Sequence, residues 1–338
     1  MKISTGTPLG KRILRSKAFT LFLLLVVLVI FFTVMASLRG AKFFTPKTFL
    51  SILSDLTCPG FLAIGAAFLL VSGSVDLSES MVGALTGVII AVGIDWWHWP
   101  WYGVVLLAIA AALVCGLINA ILVNEIGMAP FIATMAMSSV IRSVAMAVST
   151  TSEGILKGVA NFQNDVLSTI GFAKIGNTGI PYTVLVMLIF FIVYGIILSK
   201  TKLGRSIYMI GGNPMASKLC GINSKKISYF LFINCSLMGG LAGLVYTFRS
   251  KQGSISALST DQFTGMTAAI LGGISFGGGS GGLGGAFLGL FVIKTFNKGM
   301  QIVNSNTYLT TILSGALLLA ALTIDFFSQR RQRKRVKA

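Results

Sequence analysis

The sequence predicts an all-α, polytopic membrane protein of about ten transmembrane helices, some of them short or broken. Three observations support this fold class: 54% of the 338 residues are hydrophobic, only 11% are charged, and the apolar residues form long continuous runs. Soluble domains carry about 25% charged residues, whereas a membrane-spanning helix needs about 20 mostly apolar residues in succession. The continuous runs disfavour a β-barrel, whose strands alternate apolar and polar residues.

Ten apolar segments support this prediction, and an even number of spans places both termini on one side. Two of them, 81–95 and 263–276, are short for a full crossing. Either their boundaries are misplaced, or they are broken or re-entrant spans, which are typical of transport proteins. The ten segments are 19–37, 48–73, 81–95, 102–124, 129–149, 181–199, 227–248, 263–276, 283–299 and 307–327.

The basic residues predict the orientation. Of the 27 Lys and Arg residues, 17 lie in the stretches 2–17, 200–226 and 330–337, all on one side of this topology. This positive-inside pattern predicts cytoplasmic termini in an inner membrane and argues against a nucleic-acid partner. The predicted parts are a basic cytosolic N-terminus (1–18), one transmembrane domain (19–327) with a cytosolic connection (200–226), and a basic cytosolic tail (328–338) that contacts membrane lipid.

Within the cytosolic connection the residues predict a short capped helix. Asn213 is a favourable N-cap residue, Pro214 then takes the first helical position, and Gly221 suits a left-handed residue at the C-terminal end. Two turns of helix are not stable alone in water, so flanking helices or a partner must hold them. We interpret this helix as a docking element for a cytosolic machine.

The chain lacks the residues that catalysis, metal binding or nucleotide binding would need. His98 is the only histidine, and the four cysteines have no metal-ligand spacing. No G-x-x-x-x-G-K-[ST] pattern occurs, so any ATP that drives this protein is bound by another subunit. We therefore expect no catalytic residues, no metal and no cofactor.

Asp76 lies in a short polar stretch between the second and third apolar segments. It caps the helix that starts near Ser78, or it faces a translocation path and hydrogen-bonds a polar solute. Other polar residues within apolar segments are explained equally by hydrogen bonds between helices. The candidate path residues are Asp76, Ser78, Asn119, Phe131, Thr134 and Asn234.

Residues 272–289 include ten glycines. Gly279, Gly281 and Gly284 match a dinucleotide-binding pattern, but no strand precedes them. Glycines four residues apart are better explained by close helix packing within the bilayer. The candidate packing residues are Gly278, Gly281, Gly282, Gly285 and Gly289.

Four blocks, in order along the chain, resemble the ribose-type sugar ABC importer permeases, within the larger group of branched-chain amino acid and sugar importer permeases. Residues 73–78 (G-S-V-D-L-S) resemble that family's G-G-I-D-L-S, and residues 124–135 resemble its segment leading into P-F-I-x-T-L. Residues 203–217 (L-G-R-S-I-Y-M-I-G-G-N-P-M-A-S) resemble its G-R-x-x-Y-A-I-G-G-N loop, and residues 268–273 resemble its A-A-V-x-x-G-G.

The resemblance implies an inner-membrane permease without enzymatic activity, which takes up a small polar solute, by default a sugar. Its partners would be a cytosolic ABC ATPase, an extracytoplasmic solute-binding protein and a second permease subunit, identical or paralogous. The short helix would be the element that couples the permease to the ATPase. The candidate coupling residues are Gly204, Arg205, Gly211, Gly212, Asn213, Pro214, Ala216 and Gly221.

Two departures bear on the solute. Where the family has S-V-G after D-L, this chain has Ser78-Glu79-Ser80, and the family's glutamate-leucine before A-A-V is replaced around 261–263. The alternative function is a secondary carrier driven by an ion gradient. Few acidic residues lie within the spans to carry a proton, and no clear inverted halves are visible, so the importer is favoured.

Overall fold

The computed structural model describes residues 17–303 and isolated helical positions between 308 and 323. The predicted N-terminal part, the tail and most of the last predicted span lie outside these residues. The described helices are α1 (Lys17–Leu38), α2 (Pro46–Asp55), α3 (Thr57–Ser72), α4 (Glu79–Asp95), α5 (Trp101–Asn124), α6 (Pro130–Val148), α7 (Asp165–Phe172), α8 (Tyr182–Lys200), α9 (Lys202–Gly212), α10 (Pro214–Leu219), α11 (Ser224–Ser250), α12 (Asp261–Leu271) and α13 (Leu283–Val303).

Two further elements complete the described part. A 3-10 turn covers Gly176–Thr178, and the strands β1 (Val159–Asn161) and β2 (Gln252–Ser254) pair antiparallel. This ribbon is a small addition to the predicted all-α fold. It joins the connection after α6 to the end of α11.

Five described helices are long and apolar enough to cross a membrane: α1 from Phe19, α5, α6, α8 and α11. The pair α2 and α3, bent by 43° at Leu56, passes the same test together and makes a sixth. The polytopic helical fold is confirmed, whereas a total of about ten spans stays a prediction. The two short predicted spans correspond to α4 and to the still shorter α12.

Helix α3 lies at the centre of the molecule. All of its residues except Ser72 are buried, because α11, α12, α13, α8 and α9 pack around it. Its sequence is apolar on every side, as expected of a helix surrounded by protein. By contrast, α1, α5, α6 and α8 carry exposed apolar side chains along much of their length, which is the surface that lipid can cover.

The core consists of two similar units that run in opposite directions. In each, a long helix (α3 or α11) is followed by a non-helical segment (73–78 or 251–260) and then a shorter helix (α4 or α12). Helices α3 and α11 are antiparallel, since Arg249 at the end of α11 donates to Ser54 O before α3, and Gly65 meets Cys235 midway. Each shorter helix packs parallel to the long helix of the other unit.

The two shorter helices begin alike. Each has a hydroxyl N-cap residue, an acidic first residue, and a glycine at the fifth position that contacts the backbone of the other unit's long helix. In α4 these are Ser78, Glu79 and Gly83, and in α12 they are Thr260, Asp261 and Gly265. No clear inverted halves are visible in the sequence, because the matching patterns at the two helix starts are short and share few identical residues.

An exposed ion pair joins the end of α5 to the start of α11. Lys225 Nζ lies 2.6 Å from Glu125 Oε2, and the Tyr229 hydroxyl donates to Glu125 Oε1 at 2.8 Å. The hydrogen bonds from Lys225 and Tyr229 hold the pKa of the Glu125 carboxyl below its usual value. Because the pKa is lowered by folding, the contact stabilises the protein above about pH 4.5, and this stabilisation is lost as the pH falls further.

We therefore expect Glu125→Gln to lower the thermal denaturation midpoint at pH 7, and the difference from wild type to shrink as the pH falls below 4.5. Denaturation of the purified protein in detergent, followed by tryptophan fluorescence across a pH series, measures this. Glu153→Gln, in an exposed turn and outside the ion pairs of the described residues, is the control. A difference that is independent of pH would contradict the assignment.

Candidate functional site

The candidate site is built around the extended segment, residues 73–78, between α3 and α4. Gly73 ends α3 in the left-handed conformation (φ 82°), which glycine adopts without strain. The chain then turns back along α3: a Cβ on Gly65 would lie 2.2 Å from Glu79 Oε1, so α4 begins beside the middle of α3. Asp76 and Ser78 are buried, and a buried non-helical stretch is stable only where other groups satisfy its backbone N–H and C=O groups.

Side chains from two other helices satisfy that backbone. Gln262 of α12 donates from Nε2 to Asp76 O (3.1 Å) and accepts at Oε1 from Ser80 N (2.7 Å). Thr134 of α6 accepts from Leu77 N (3.1 Å) while donating to Pro130 O. Gln262 and Ser80 are the second residues of α12 and α4, so their hydrogen bond also joins the two matching helices. The extended segment is therefore held by both core units at once.

The side chain of Asp76 organises the turn into α4. Its Oδ1 accepts from the backbone N–H of Ser78 (2.7 Å) and from the Ser78 hydroxyl (2.6 Å). Asn119 of α5 donates to Asp76 Oδ2 (3.3 Å) and to Ser78 Oγ (2.8 Å). All three side chains are buried. Asp76 thus holds the residue that precedes α4, close to the capping role expected from the sequence.

Glu79, the first residue of α4, is fully buried, and the Cys235 thiol of α11 is the one hydrogen-bonding group against its carboxyl among the described residues. Its side chain lies between α3 and α11, against Gly65 and Gly239. Its counterpart Asp261 instead pairs with Lys294 of α13 at 2.9 Å. A thiol is a weak hydrogen-bond donor, so this buried carboxyl is poorly satisfied, which is destabilising.

At its other end, the extended segment meets the glycine loop, residues 275–282, and the end of α9. Gly279 N donates to Val71 O (2.8 Å), and Gly211 lies over the same carbonyl. A Cβ on Gly211 would lie 2.0 Å from Val71 O and 2.7 Å from Gly279 N. Only glycine fits at this position. By contrast, a Cβ on Gly212 would have 3.8 Å to its nearest neighbour, Gly279 Cα.

Tyr208 of α9 makes a second link to the glycine loop. Its hydroxyl donates to Gly281 O at 2.5 Å. Helix α9 is capped by Thr201, which accepts from Gly204 N, and it packs against α3 and α8. The end of α9, the glycine loop and the end of α3 therefore form one close contact, and α10 follows directly after it.

Helix α10 has the expected local structure. Asn213 Oδ1 accepts from Ala216 N (3.0 Å), Pro214 is the first helical residue, and Gly221 has φ 73°. Its outer side is apolar and uncovered: Met215 is 71% and Leu219 84% exposed. These two apolar side chains, four residues apart, lie on one side of α10.

Two further candidate coupling residues lie in the first turn of α9. Gly204 is buried against Leu198 O, and Arg205 is exposed and donates to Lys200 O. The structure thus places the predicted coupling residues along α9, α10 and the turn after α10. Residues 202–212, predicted only as part of a cytosolic connection, form α9; Thr201 followed by apolar residues at helical spacing indicates this helix.

The candidate packing glycines divide into two groups. Gly285 and Gly289 of α13 meet the backbone of Gly272 and Ala268 at the end of α12, which is close helix packing. Gly278 and Gly281 are instead turn residues with φ of 83° and 107°, and Gly282 has open space around it. They precede α13, because repeated left-handed turns interrupt the helix that their spacing suggested.

The candidate path residues also separate. Asp76, Ser78, Asn119 and Thr134 come together around the extended segment. Asn234 accepts a hydrogen bond from the Tyr194 hydroxyl elsewhere in the core (2.8 Å), and Phe131 is 53% exposed at the start of α6. Gln262 and Tyr208 were missed. Gln262 lies within the noted departure at 261–263, and Tyr208 lies within the block used for the resemblance.

The polytopic helical core, with an exposed capped helix that follows a close contact at the end of its central helix, is that of a multi-pass membrane protein. Residues 48–322 match the family model described as branched-chain amino acid transport system / permease component, and the chain belongs to this family.

Relatives cover nearly the whole chain. The ribose import permease protein of Haemophilus influenzae is 29% identical over 96% of this chain and 97% of its own length. That of Bacillus subtilis is 30% identical over 90% and 91%. The D-allose transport system permease protein of Escherichia coli K12 is 28% identical over 95% of both chains.

The poorly satisfied Glu79 carboxyl leads to a prediction about thermal stability. We expect Glu79→Val, the residue of the resembling family, to raise the thermal denaturation midpoint in detergent. The physical reason is that a buried polar group left unsatisfied costs about 1–3 kcal/mol. Asp261→Asn is the matched control and should lower the midpoint, because it leaves Lys294 without its partner. A less stable Glu79→Val protein would show that the carboxylate makes a stabilising contact.

Proposed function

We propose that this chain is the membrane-spanning subunit of a binding-protein-dependent ABC importer for a small polar solute, a sugar or a sugar derivative. The observation that carries the proposal is the contact among Gly211, Val71 O and Gly279 N. It connects the exposed helix α10, through α9, to the end of the central helix α3, where the extended segment begins. The sugar class is supported by the relatives, whose names specify ribose and allose.

The coupling mechanism follows from this contact. A cytosolic ATPase docks on Met215 and Leu219 of α10, and its nucleotide-driven movement displaces α10 and α9. Because Gly211 and Tyr208 contact the glycine loop and the end of α3, the displacement reaches the extended segment. There, a shift of Asp76 or Gln262 alters hydrogen bonds to both core units and changes how they pack.

A second permease subunit is supported by the outer face of α6. Ser139, Arg142 and Ser143 are exposed on this face, and a groove there is lined by Ser139, Val140, Ser143, Val144 and Ala147. An arginine and several serines facing lipid would be unfavourable. A second copy of this face, enclosing a polar path between the two copies, removes that cost.

The remaining parts of the proposal concern placement and partners. We place both termini and α10 on the cytoplasmic face of the inner membrane, supported by the basic residues around α9 and α10. The extracytoplasmic solute-binding protein then meets the opposite face, which carries the β1–β2 ribbon. The permease performs no chemistry and holds no cofactor, and ATP is bound by the separate ATPase.

The test compares two adjacent glycines. We expect Gly211→Ala to uncouple the importer: ATP hydrolysis continues while uptake falls at least about tenfold, because the methyl group forces α9 away from Val71 O. Gly212→Ala, which has room for its methyl group, should keep wild-type uptake. The assays are solute uptake and ATP hydrolysis by the complete complex in proteoliposomes.

The level of each variant in the membrane is measured in the same preparations. Equal uptake by both variants, at equal levels, would contradict the role of the Gly211 contact. Uptake by the purified chain without any ATPase would contradict the importer itself.

A further inference from the structure

Arg142 lies on the exposed face of α6, well inside the helix. It is the thirteenth of the nineteen residues of Pro130–Val148, so about 9 Å of helix separates it from the nearer end at 1.5 Å per residue. Ser139 and Ser143, which line the groove on this face, precede and follow it. The arginine therefore belongs to the part of α6 that crosses the membrane.

The guanidinium of Arg142 has no partner. Arg142 makes no hydrogen bond or ion pair among the described residues, and neither α6 nor the neighbouring α5 contains an acidic residue. The Ser143 hydroxyl donates to Ser139 O of its own helix at 3.0 Å, so it does not serve the arginine. A guanidinium has five N–H donors and is costly against lipid, and it therefore needs water or a polar molecule beside it.

The opposite side of α6 is tied to the extended segment. Thr134, eight residues before Arg142, is buried and accepts from Leu77 N at 3.1 Å. Arg142 is exposed on the same helix. One helix thus carries a contact to the extended segment on its buried side and the unpartnered cation on its outer side, so a movement of the segment also moves the cation.

We propose that Arg142 lines the translocation path and makes it selective against cationic solutes. The inference rests on the proposed function, which places a second copy of α6 across the path. In a two-fold arrangement each copy presents Arg142 at the same level, and no acid of α5 or α6 offsets the two charges. The guanidiniums donate hydrogen bonds to the oxygens of a neutral or acidic sugar derivative and repel an ammonium group.

The test measures thiol modification in the complete permease–ATPase complex in lipid nanodiscs. Ser143→Cys provides the thiol, in a Cys220→Ser background because Cys220 is the exposed cysteine among the four. The probes are the anionic sulfonatoethyl and the cationic trimethylammonioethyl methanethiosulfonates, which react with a thiolate. We expect both probes to modify the thiol, and Arg142→Gln to lower the ratio of the anionic to the cationic rate at least about tenfold, because two nearby charges are lost.

Three variants serve as controls. Arg142→Lys keeps the charge and should keep most of the ratio, which separates charge from misfolding. Lys47→Gln, an exposed cation of α2, should leave the ratio unchanged. Ile192→Cys, on the exposed apolar face of α8, should stay unmodified by either probe, since lipid does not ionise a thiol.

The inference is overturned if the Ser143→Cys thiol is as unreactive as that of Ile192→Cys, because the face would then meet lipid or closely packed protein. It is also overturned if Arg142→Gln leaves the ratio of the two rates unchanged. In either case, persisting ATP-driven uptake by the complete complex shows that only this inference falls and that the proposed function stands.

Discussion

The structure depends on one constraint: the backbone of the extended segment must be satisfied by protein. Residues 73–78 separate α3 from α4, and Asp76 and Ser78 among them are buried, so neighbouring protein groups must supply their hydrogen-bond partners. Asp76, Thr134 and Gln262 provide the partners, and they come from the segment itself, from α6 and from α12. A movement of α6 or α12 therefore changes the hydrogen bonds of the extended segment, and a movement of the segment changes the hydrogen bonds of these helices.

Glycines allow the helices around the extended segment to contact each other directly through their backbones. Gly65 and Gly239 let α3 and α11 close around the start of α4, while Gly211 and Gly279 bring α9 and the glycine loop onto the last turn of α3. Close backbone contact leaves no flexible side chain between the parts. These are the contacts through which the proposed coupling carries a displacement of α10 to the core.

Much of this architecture could be predicted from the sequence, because its causes are local. Asn213, Pro214 and Gly221 specify α10 by capping alone, and the apolar runs identify the long helices. The inverted core could not be predicted in this way. Its sequence pattern is a hydroxyl residue, an acidic residue and a glycine, at Ser78–Gly83 and again at Thr260–Gly265. The pattern can be recognised only once the structure shows that each of these helices packs against the long helix of the other unit.

Part of the site could also be predicted, because the residues concerned stand out in their local sequence. Asp76, Ser78 and Asn119 attract notice as polar residues within apolar runs, whereas Gln262 acts across 186 positions of sequence on Asp76 O. The inverted core also removes one argument against a secondary carrier. The importer proposal now depends on family membership and on the contact of Gly211 with Val71 O and Gly279 N.

The central claim is that α10, the glycine loop and the extended segment move together. Amide hydrogen exchange of the complete complex, with and without ATP trapped in the ATPase, measures this most directly. The account predicts that exchange changes at 73–80 and 275–282 whenever it changes at 202–222. Changes confined to 202–222, with the extended segment unaffected, would contradict it.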